Sequence, residues 1–267
     1  MIANHTSLTT PLADTERREL VDRFFRDGYA VVRGVLSREE SDYLRRRTDE
    51  LADDPVIRST VQHPGYSFVI INPLEHDRAF ADLFIREPIY SLVQAILGKE
   101  CRFCGQTVIR NRPGQAVAHW HIDDILEYPL PEEMPRWDAR VRLPLTWLSV
   151  QVPLSDITTA ENGPTEVVVG SQYSGRMSPK ENPVFEGRSA EPIFCEAGDV
   201  YLFNHQVWHR GRPNTSQQTR YLLQLQYARG DRIAGRCQGV TRTPALEKIL
   251  GDCDPKVAEF ILRPAVT

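Results

Sequence analysis

Two histidines and two aspartates fall within six residues of the chain, at His119, His121, Asp123 and Asp124 in the segment AVAHWHIDDILEY. Imidazole nitrogens and carboxylate oxygens both bind first-row transition metals. Because successive side chains of an extended strand point to opposite faces, Asp124 would lie on the face opposite the other three. We therefore predict that this segment supplies ligands to a metal and that Asp124 is not among them.

The spacing leaves two ligand sets open. His121 and Asp123 form the local half of a site with two histidines and one carboxylate, which binds Fe(II) and keeps open coordination positions. His119, His121 and a distal histidine would instead form a zinc or cupin-type site. The second set leaves Asp123 without a function, so we favour the first and expect His119 to line the pocket or to support the ligands.

A third ligand has to come from elsewhere in the chain, which contains seven histidines. His5 lies in an N-terminal tail that we expect to be flexible, and His63 and His76 precede the β-rich part of the sequence. The others, His205 and His209, lie in the segment GDVYLFNHQVWHRGRPNTSQQTRYLLQLQY. The residues alone therefore place the third ligand in this segment without choosing between the two.

The N-terminal third has the pattern of amphipathic helices. Apolar residues of ADTERRELVDRFFRDG recur on one helical face up to Gly28, and a strand-like YAVVRGVL follows. Ser37 and the glutamates after it indicate that a second helix begins in SREESDYLRRRTDELADD. The segment DRAFADLFIREPIYSLVQAILG predicts a third helix, interrupted near Pro88. We expect these helices to support the site rather than to carry chemistry.

From Cys101 onward the sequence changes to short β-type runs separated by turns. The predicted strands are CRFCGQTVIRN, AVAHWHID, LTWLSVQVPL, TEVVVG, DVYLFN and TRYLLQLQYA. Many short strands with turn signals between them indicate a sandwich or barrel of the jelly-roll kind. The long polar segment QYSGRMSPKENPVFEGRSAEP is expected to be a surface loop, either a lid over the site or a plain connection.

Composition excludes several classes of function. A net charge of −4 gives no basic footprint for nucleic acid, and 41 % hydrophobic with 25 % charged residues is ordinary for a globular protein. No window resembles a membrane span or a secretory signal, so we expect a cytoplasmic protein with a small-molecule partner. The five cysteines, among them the CxxC pair Cys101 and Cys104, are expected to be reduced and buried.

Taken together, these motifs resemble the phytanoyl-CoA dioxygenase-like family of Fe(II)/2-oxoglutarate-dependent oxygenases over nearly the whole chain. The resemblance rests on DGYAVVRGVLSREE, RNRPGQAVAHWHIDD, ENGPTEVVVGSQ and GDVYLFNHQVWHRGRPNTSQQTR. The family's His-x-Asp pair matches His121 and Asp123, and its distal histidine, which precedes Gly, Asn and Arg, matches His209. The resemblance therefore implies that these three residues bind Fe(II).

The resemblance also implies the architecture. The expected fold is α+β and mainly β, a double-stranded β-helix (jelly roll, cupin-like) core with N-terminal helices packed on it. A single oxygenase domain would span residues 1–267: a flexible tail to about residue 12, mostly helical support over 13–100, the core over 101–230 and a C-terminal extension over 231–267. Relatives often have Pro-Gly-Ser-His where residues 169–172 read Val-Gly-Ser-Gln, a departure in a turn rather than at the metal.

Cosubstrate contacts are expected from the later strands. Arg220, eleven residues after His209, can reach into a barrel mouth with a bidentate fork. In the family this Arg binds the distal carboxylate of 2-oxoglutarate. Further polar residues are expected to line the cosubstrate or substrate pocket, namely Gln106, Thr107, Asn111 and Gln151.

The implied reaction consumes O2 and 2-oxoglutarate and releases succinate and CO2. We expect hydroxylation, or another oxidation, of an unactivated C–H bond in a natural-product or other secondary-metabolite intermediate. The alternatives are an acyl-CoA 2-hydroxylase of the same family, a cupin-type metal enzyme that does not use 2-oxoglutarate and a non-catalytic ligand-binding jelly roll. Halogenating relatives have Gly or Ala in place of the carboxylate, so a chain that keeps Asp123 is expected to oxygenate. No motif selects the substrate or the oligomeric state.

Overall fold

Helices fill most of the N-terminal part of the chain and strands most of the remainder. The computed structural model describes residues 11–60, 68–123, 125–230, 240 and 242–261. The helices in these ranges are α1 (Asp14–Asp27), α2 (Arg38–Asp53), α3 (Pro55–Thr60), α4 (Arg78–Ala81), α5 (Ile89–Leu97), α6 (Pro244–Gly251) and α7 (Pro255–Phe260). None of these helices combines the length and hydropathy that a membrane span requires.

The described strands form two antiparallel sheets. They are β1 (Tyr29–Val32), β2 (Phe68–Ile71), β3 (Arg102–Asn111), β4 (Trp147–Pro153), β5 (Thr165–Val167), β6 (Glu191–Ile193), β7 (Val200–Asn204), β8 (His209–Gly211) and β9 (Arg220–Ala228). The larger sheet has the order β1-β7-β4-β9-β3-β2, and the smaller has the order β6-β5-β8. The helices pack on the larger sheet in one apolar core. This is the predicted jelly-roll architecture with N-terminal helical support.

The first two predicted helices are confirmed, together with the signals that bound them. Helix α1 ends at Gly28, which has a φ of 90° and donates its N–H to the Phe24 carbonyl. Helix α2 begins with a capping box, in which the Ser37 side chain accepts from the Glu40 N–H and the Glu40 carboxylate accepts from the Ser37 N–H. These caps fix where the chain turns into β1 and into the helical layer.

The third predicted helix is divided into separate pieces. Helix α4 runs into a 3-10 turn over Asp82–Ile85, and α5 begins only after Pro88. Proline has no N–H to donate and disfavours helical backbone at the residue before it, so the predicted interruption falls where expected. Elements α3, β2, β6, β8, α6 and α7 are additions that the sequence pattern did not predict.

Strand β9 presents its two faces to different surroundings. Leu223 and Leu225 pack in the core with the helices, whereas Leu222 belongs to a second apolar cluster. Leu222, Gln224 and Gln226 all line an internal cavity. The period of two along a strand therefore separates core residues from cavity residues on this element.

The segment AVAHWHID is not the strand that the sequence predicts. Within it, His121 forms an isolated bridge with His209, and the Val117 carbonyl accepts the Gly211 N–H at 2.9 Å. The physical reason is the length of the neighbour, since β8 has only three residues and offers no longer ladder to pair with. The segment still runs beside β8, so His121 and Asp123 reach the predicted location.

The long segment between β5 and β6 is irregular apart from a 3-10 turn over Ser171–Tyr173, as predicted. Its first part is fastened to the body of the protein. The Tyr173 hydroxyl donates to the Phe25 carbonyl at 2.8 Å, and the Trp208 indole donates to the Arg176 carbonyl at 2.9 Å. Its action as a lid stays a prediction.

The described cysteines are thiols, buried at Cys101, Cys104 and Cys195 and partly buried at Cys253, and Cys237 lies outside the described residues. The two CxxC residues belong to different apolar clusters. Burial raises the pKa of the Cys101 thiol to about 11. These thiols therefore match the expectation of small buried side chains rather than of a redox pair.

Gly28→Ala tests the junction between α1 and β1. A Cβ at this position, where φ is +90°, would lie 2.6 Å from Gln172 Oε1 and 2.8 Å from Val207 Cγ2. We expect the free energy of unfolding to fall by about 2–4 kcal/mol, since backbone strain adds to the steric displacement. The control is Gly34→Ala, at a φ of +63° with no atom within 4 Å, for which we expect about 1 kcal/mol. Equal losses in denaturant unfolding would contradict the packing argument.

Candidate active site

A cavity of about 540 Å³ has walls from both sheets. The smaller sheet contributes Thr165 and the residues of β8. The larger sheet contributes alternate residues of β2, β3 and β9, with Gln151 of β4 and Phe203 of β7. The irregular segment beside β8 contributes His121 and Asp123. Most of the sequence-predicted site residues therefore meet around one space.

His121, Asp123 and His209 converge on one part of the cavity wall. One ligand atom from each lies within 4.8 Å of the others, and this is the cluster of potential metal ligands found among the described residues. Nε2 of each histidine lies 3.8 Å from a carboxylate oxygen of Asp123. Two imidazoles and one carboxylate are the donor set of the Fe(II) facial triad, so these residues fit such an ion.

Backbone hydrogen bonds bring these three residues together. The His121 N–H donates to the His209 carbonyl at 3.0 Å, and the His209 N–H donates to the His121 carbonyl at 2.9 Å. The Asp123 N–H donates to the His205 carbonyl at 2.8 Å. Residues that are far apart in sequence are thereby held side by side by main-chain hydrogen bonds.

His121 and His209 both direct Nε2 toward Asp123. Nδ1 of His121 lies 2.9 Å from the His119 carbonyl, and Nδ1 of His209 lies 2.9 Å from the Val207 carbonyl. Because a carbonyl oxygen only accepts, each Nδ1 carries the proton and each Nε2 keeps its lone pair. Burial and the neighbouring His209 lower the pKa of His121 to about 4, which keeps its imidazole neutral near pH 7. Neutral imidazole is the form that binds a metal.

His119 lies outside the ligand cluster. Its exposed side chain lines the cavity, and its ring lies beside that of His121 with 4.7 Å between the centroids. The contact that orients His121 comes from the His119 backbone carbonyl and not from the ring. This geometry favours the set with Asp123 over the rival set of histidines.

Arg220 is a buried guanidinium whose hydrogen bonds are long. Its Nη1 lies 3.4 Å from Asn111 Oδ1 and its Nη2 lies 3.4 Å from Thr165 Oγ1, while Nε has no partner. Within the described part of the chain no carboxylate lies at ion-pair distance from it. Burial lowers the pKa of Arg220, although an arginine keeps its charge in proteins. A buried cation without a counter-ion suits an anionic ligand.

The remaining predicted pocket residues divide between two faces of the larger sheet. Thr107, Asn111 and Gln151 line the cavity. Gln106 does not, because its side chain points to the helical layer and its Nε2 donates to the Phe80 carbonyl at 3.0 Å. The prediction that Gln106 contacts a ligand in this pocket is therefore wrong. A cosubstrate contact by Gln151 stays a prediction.

A buried pair next to the ligands was not predicted. His205 is fully buried, its Nε2 lies 3.3 Å from Glu127 Oε1, and its ring stacks on Trp147 with 5.0 Å between the centroids. The His205 carbonyl holds the Asp123 backbone. The pair therefore supports a ligand segment, and no spacing pattern in the sequence links Glu127 to His205.

The family comparison agrees with this site. A model of the phytanoyl-CoA dioxygenase (PhyH) family matches residues 24–222, which is more than half of the chain. The chain therefore belongs to the phytanoyl-CoA dioxygenase family. The matched range begins in α1 and ends inside β9, so it contains all three clustered metal-ligand candidates and Arg220.

Three similar proteins extend the comparison. The iron/alpha-ketoglutarate-dependent dioxygenase ausU of Aspergillus calidoustus is 24 % identical over 90 % of this chain and 82 % of its own. Ectoine dioxygenase of Stutzerimonas stutzeri (strain A1501) is 26 % identical over 76 % of this chain and 73 % of its own. The crystal structure of HygX from Streptomyces hygroscopicus, with nickel and 2-oxoglutarate bound, has a TM-score of 0.61, with 20 % identity over 79 % of this chain and 86 % of that one.

These findings confirm three predictions. The chain has the jelly-roll fold of HygX, and its class is an Fe(II)/2-oxoglutarate-dependent dioxygenase. The cofactors of this class, iron and 2-oxoglutarate, agree with the donor set that the cavity offers.

Proposed function

We propose that this enzyme hydroxylates an unactivated C–H bond of a small natural-product or other secondary-metabolite intermediate. His121, Asp123 and His209 bind Fe(II), and Arg220 binds the distal carboxylate of 2-oxoglutarate. The single observation that carries the proposal is the presence, in one cavity, of a three-residue donor cluster and a buried guanidinium that has no counter-ion among the described residues. Iron and 2-oxoglutarate, the two cofactors of the family, are chemically complementary to these two groups.

The cosubstrate end of the cavity is defined by Arg220 and its neighbours. Asn111 and Thr165 flank the guanidinium, and the Thr165 hydroxyl lies 2.8 Å from the Tyr201 hydroxyl. A carboxylate that arrives here replaces long contacts with charge-assisted hydrogen bonds in a buried setting. This end of the cavity therefore fixes one end of 2-oxoglutarate.

Bound iron would supply the oxidising chemistry, by which a substrate C–H bond, O2 and 2-oxoglutarate become a C–OH group, succinate and CO2. One oxygen atom enters the product and the other enters succinate, so the atoms balance. The chain contributes position: the ligands and Arg220 set the place of the cosubstrate, and the cavity wall sets which carbon lies closest.

The alternatives fit the cavity less well. A cupin-type enzyme without 2-oxoglutarate gives Arg220 no anion to bind. An acyl-CoA substrate brings phosphates, yet the other cation of the described cavity wall, Arg210, is 2.6 Å from Glu166 and lies over the Trp120 ring. One relative is an ectoine dioxygenase, and a second HygX structure has hygromycin B bound. Ectoine and hygromycin B are small molecules rather than coenzyme A thioesters.

The proposal is tested by spectroscopy and turnover of the purified protein. Anaerobic Fe(II) and 2-oxoglutarate together should give the weak visible charge-transfer band of such complexes, and chelation of the metal should abolish it. In air, candidate natural products should stimulate succinate release. Fe(II) binding without the band would support the cupin-type alternative, and failure to bind Fe(II) would contradict an enzyme of this class.

Single-histidine variants test the ligand assignment. We expect His121→Ala and His209→Ala to lose Fe(II) binding and turnover, because each removes a donor from the cluster. His119→Ala is the matched control and should retain iron, since the contact from residue 119 is its backbone carbonyl. Equilibrium metal binding measures the effect. Loss of iron from His119→Ala with retention in His121→Ala would reverse the assignment.

Arg220→Met tests the cosubstrate contact. It removes charge-assisted hydrogen bonds but keeps much of the aliphatic stem, so 2-oxoglutarate affinity should weaken by about one to three orders of magnitude. Iron affinity should stay the same. Arg212→Met is the control, because this exposed arginine pairs with Glu166 outside the cavity. An unchanged 2-oxoglutarate titration in Arg220→Met would exclude the assigned role.

Asp123 tests the nature of the product. Its carboxylate fills the position that halogenating relatives leave for chloride, and its negative charge repels that anion. We therefore expect the unmutated protein to give only the hydroxylated product in high chloride. Asp123→Gly should lower hydroxylation at least about tenfold, because a ligand is lost. Mass spectrometry of the products measures the outcome. A chlorinated product from the unmutated protein, or full hydroxylation by Asp123→Gly, would refute the assignment of Asp123 as a metal ligand.

A further inference from the structure

Three glutamine side chains form a patch on the cavity wall that the cofactors do not account for. In the larger sheet Gln151 of β4 pairs in register with Gln224 of β9, and Gln226 lies two residues further along β9. All three line the cavity, and Thr107 of β3 is the register partner of Gln224 on its other side. We name Gln151, Gln224 and Gln226, with Thr107, the amide wall.

The amide wall has unused hydrogen-bonding capacity. Gln151 Nε2 donates to Ser149 Oγ at 2.8 Å, which leaves Gln151 Oε1 buried without a partner. Gln224, Gln226 and Thr107 make no side-chain hydrogen bond within the described ranges. Buried polar groups are nearly always paired in native proteins, and an unpaired one costs stability. A bound molecule is the natural source of the missing partners.

The unpartnered atom of Gln151 favours a ligand that donates a hydrogen bond. Oε1 is a buried acceptor, and Nε2 keeps a second N–H beside the one donated to Ser149. Near neutral pH, 2-oxoglutarate has two carboxylates and a keto group, all of which only accept. The buried acceptor of Gln151 is therefore complementary to a hydroxyl or N–H group of another molecule, which is a change from the expected cosubstrate contact.

The backbone at Gly105 leaves room for this arrangement. Gly105 is the register partner of Gln226, next to an irregularity in the pairing of β3 with β9. A Cβ on Gly105 would lie 3.2 Å from Gln226 Oε1, closer than ordinary packing allows. Because glycine has no side chain, Gly105 leaves space for the Gln226 amide at its observed position.

The charges of the cavity limit what the amide wall can bind. The acidic residue of the described cavity lining is Asp123, a metal ligand in the proposed function. The cations of the lining are Arg220 and Arg210, and Arg210 is paired with Glu166. Apolar side chains of Val69 and Ile109 border the wall, with the half-exposed Ile71 at its edge. Among the described lining residues, no charge is left over for a phosphate or a polycation.

We propose that the amide wall is the substrate-recognition subsite and binds a neutral polar group, a hydroxyl, amide or lactam, on an otherwise apolar small molecule. The inference rests on the proposed function and specifies its substrate class. The three glutamines bind and orient the polar group, Thr107 adds a hydroxyl, and the neighbouring apolar residues contact the hydrocarbon part. We therefore do not expect nucleotide-linked, phosphorylated or polycationic groups to bind at the amide wall.

The first test is a matched compound panel on the intact Fe(II)–2-oxoglutarate protein. The probes are neutral alcohols and lactams on hydrocarbon ring systems, their methyl ethers or N-methyl derivatives, acyl-CoA thioesters and aminoglycosides. Calorimetric binding and stimulated succinate release should select the neutral donors, and methylation of the donor should weaken binding about tenfold. Binding of only the charged probes, or of none, would overturn the inference.

Variants of the amide wall provide the second test. For a compound that binds, Gln151→Leu, Gln224→Leu and Gln226→Leu should each raise its dissociation constant about tenfold, because each removes a hydrogen bond of similar size. Gly105→Ala should weaken binding in the same direction through displacement of Gln226. The control is Gln217→Leu, an exposed glutamine outside the cavity, which should bind as the unmutated protein does.

The Fe(II)–2-oxoglutarate absorption band distinguishes failure of the proposed function from failure of the proposed substrate subsite. If the unmutated protein lacks the band, the proposed function fails and the subsite fails with it. If the variants keep the band, the 2-oxoglutarate affinity and the melting temperature but bind the compound less tightly, the subsite is supported. Unchanged compound binding in all three glutamine variants, or a loss of 2-oxoglutarate affinity in Gln151→Leu, would overturn the assignment.

Discussion

The mutual backbone hydrogen bonds of His121 and His209 are the constraint on which the site depends. They join an irregular segment to a strand of three residues, at 3.0 and 2.9 Å. With both backbones fixed, the carbonyl two residues before each histidine accepts a hydrogen bond from its Nδ1–H, and both Nε2 atoms lie 3.8 Å from a carboxylate oxygen of Asp123. Main-chain hydrogen bonds thus set the relative positions of the donor atoms.

The same cavity carries polar groups that the folded chain leaves poorly paired. Among the described residues, the hydrogen bonds of the Arg220 guanidinium are long and its Nε has no partner. The acceptor Oε1 of Gln151 also has no partner there. Each of these groups costs folding free energy, and the core of helices packed on the larger sheet has to offset that cost. We propose an anion as the partner of Arg220 and a hydrogen-bond donor as the partner of Gln151, so that chemistry rather than size would distinguish cosubstrate from substrate.

Much of this arrangement could be predicted from the sequence, where the signal is local. Gly28 and Ser37 mark helix ends through backbone rules, and the alternation of side chains from Arg220 along β9 places Gln224 and Gln226 on the same face as Arg220. The predictions fail where the conformation or orientation of a residue depends on neighbours that are distant in the sequence. AVAHWHID lacks a long neighbour and so is no strand, and Gln106 and Thr107 are adjacent polar residues of which only one faces the cavity. Neither the length of β8 nor the pairing irregularity near Gly105 is visible in composition or periodicity.

The central claim is that one ion and one carboxylate occupy defined positions in the same cavity. The most direct measurement is a crystal structure of the protein prepared without oxygen in Fe(II) and 2-oxoglutarate. We expect iron on Nε2 of His121 and His209 and on the Asp123 carboxylate, with the distal carboxylate of 2-oxoglutarate on the Arg220 guanidinium. Iron held by His119 in place of Asp123, or a 2-oxoglutarate molecule whose distal carboxylate lies away from Arg220, would contradict the account.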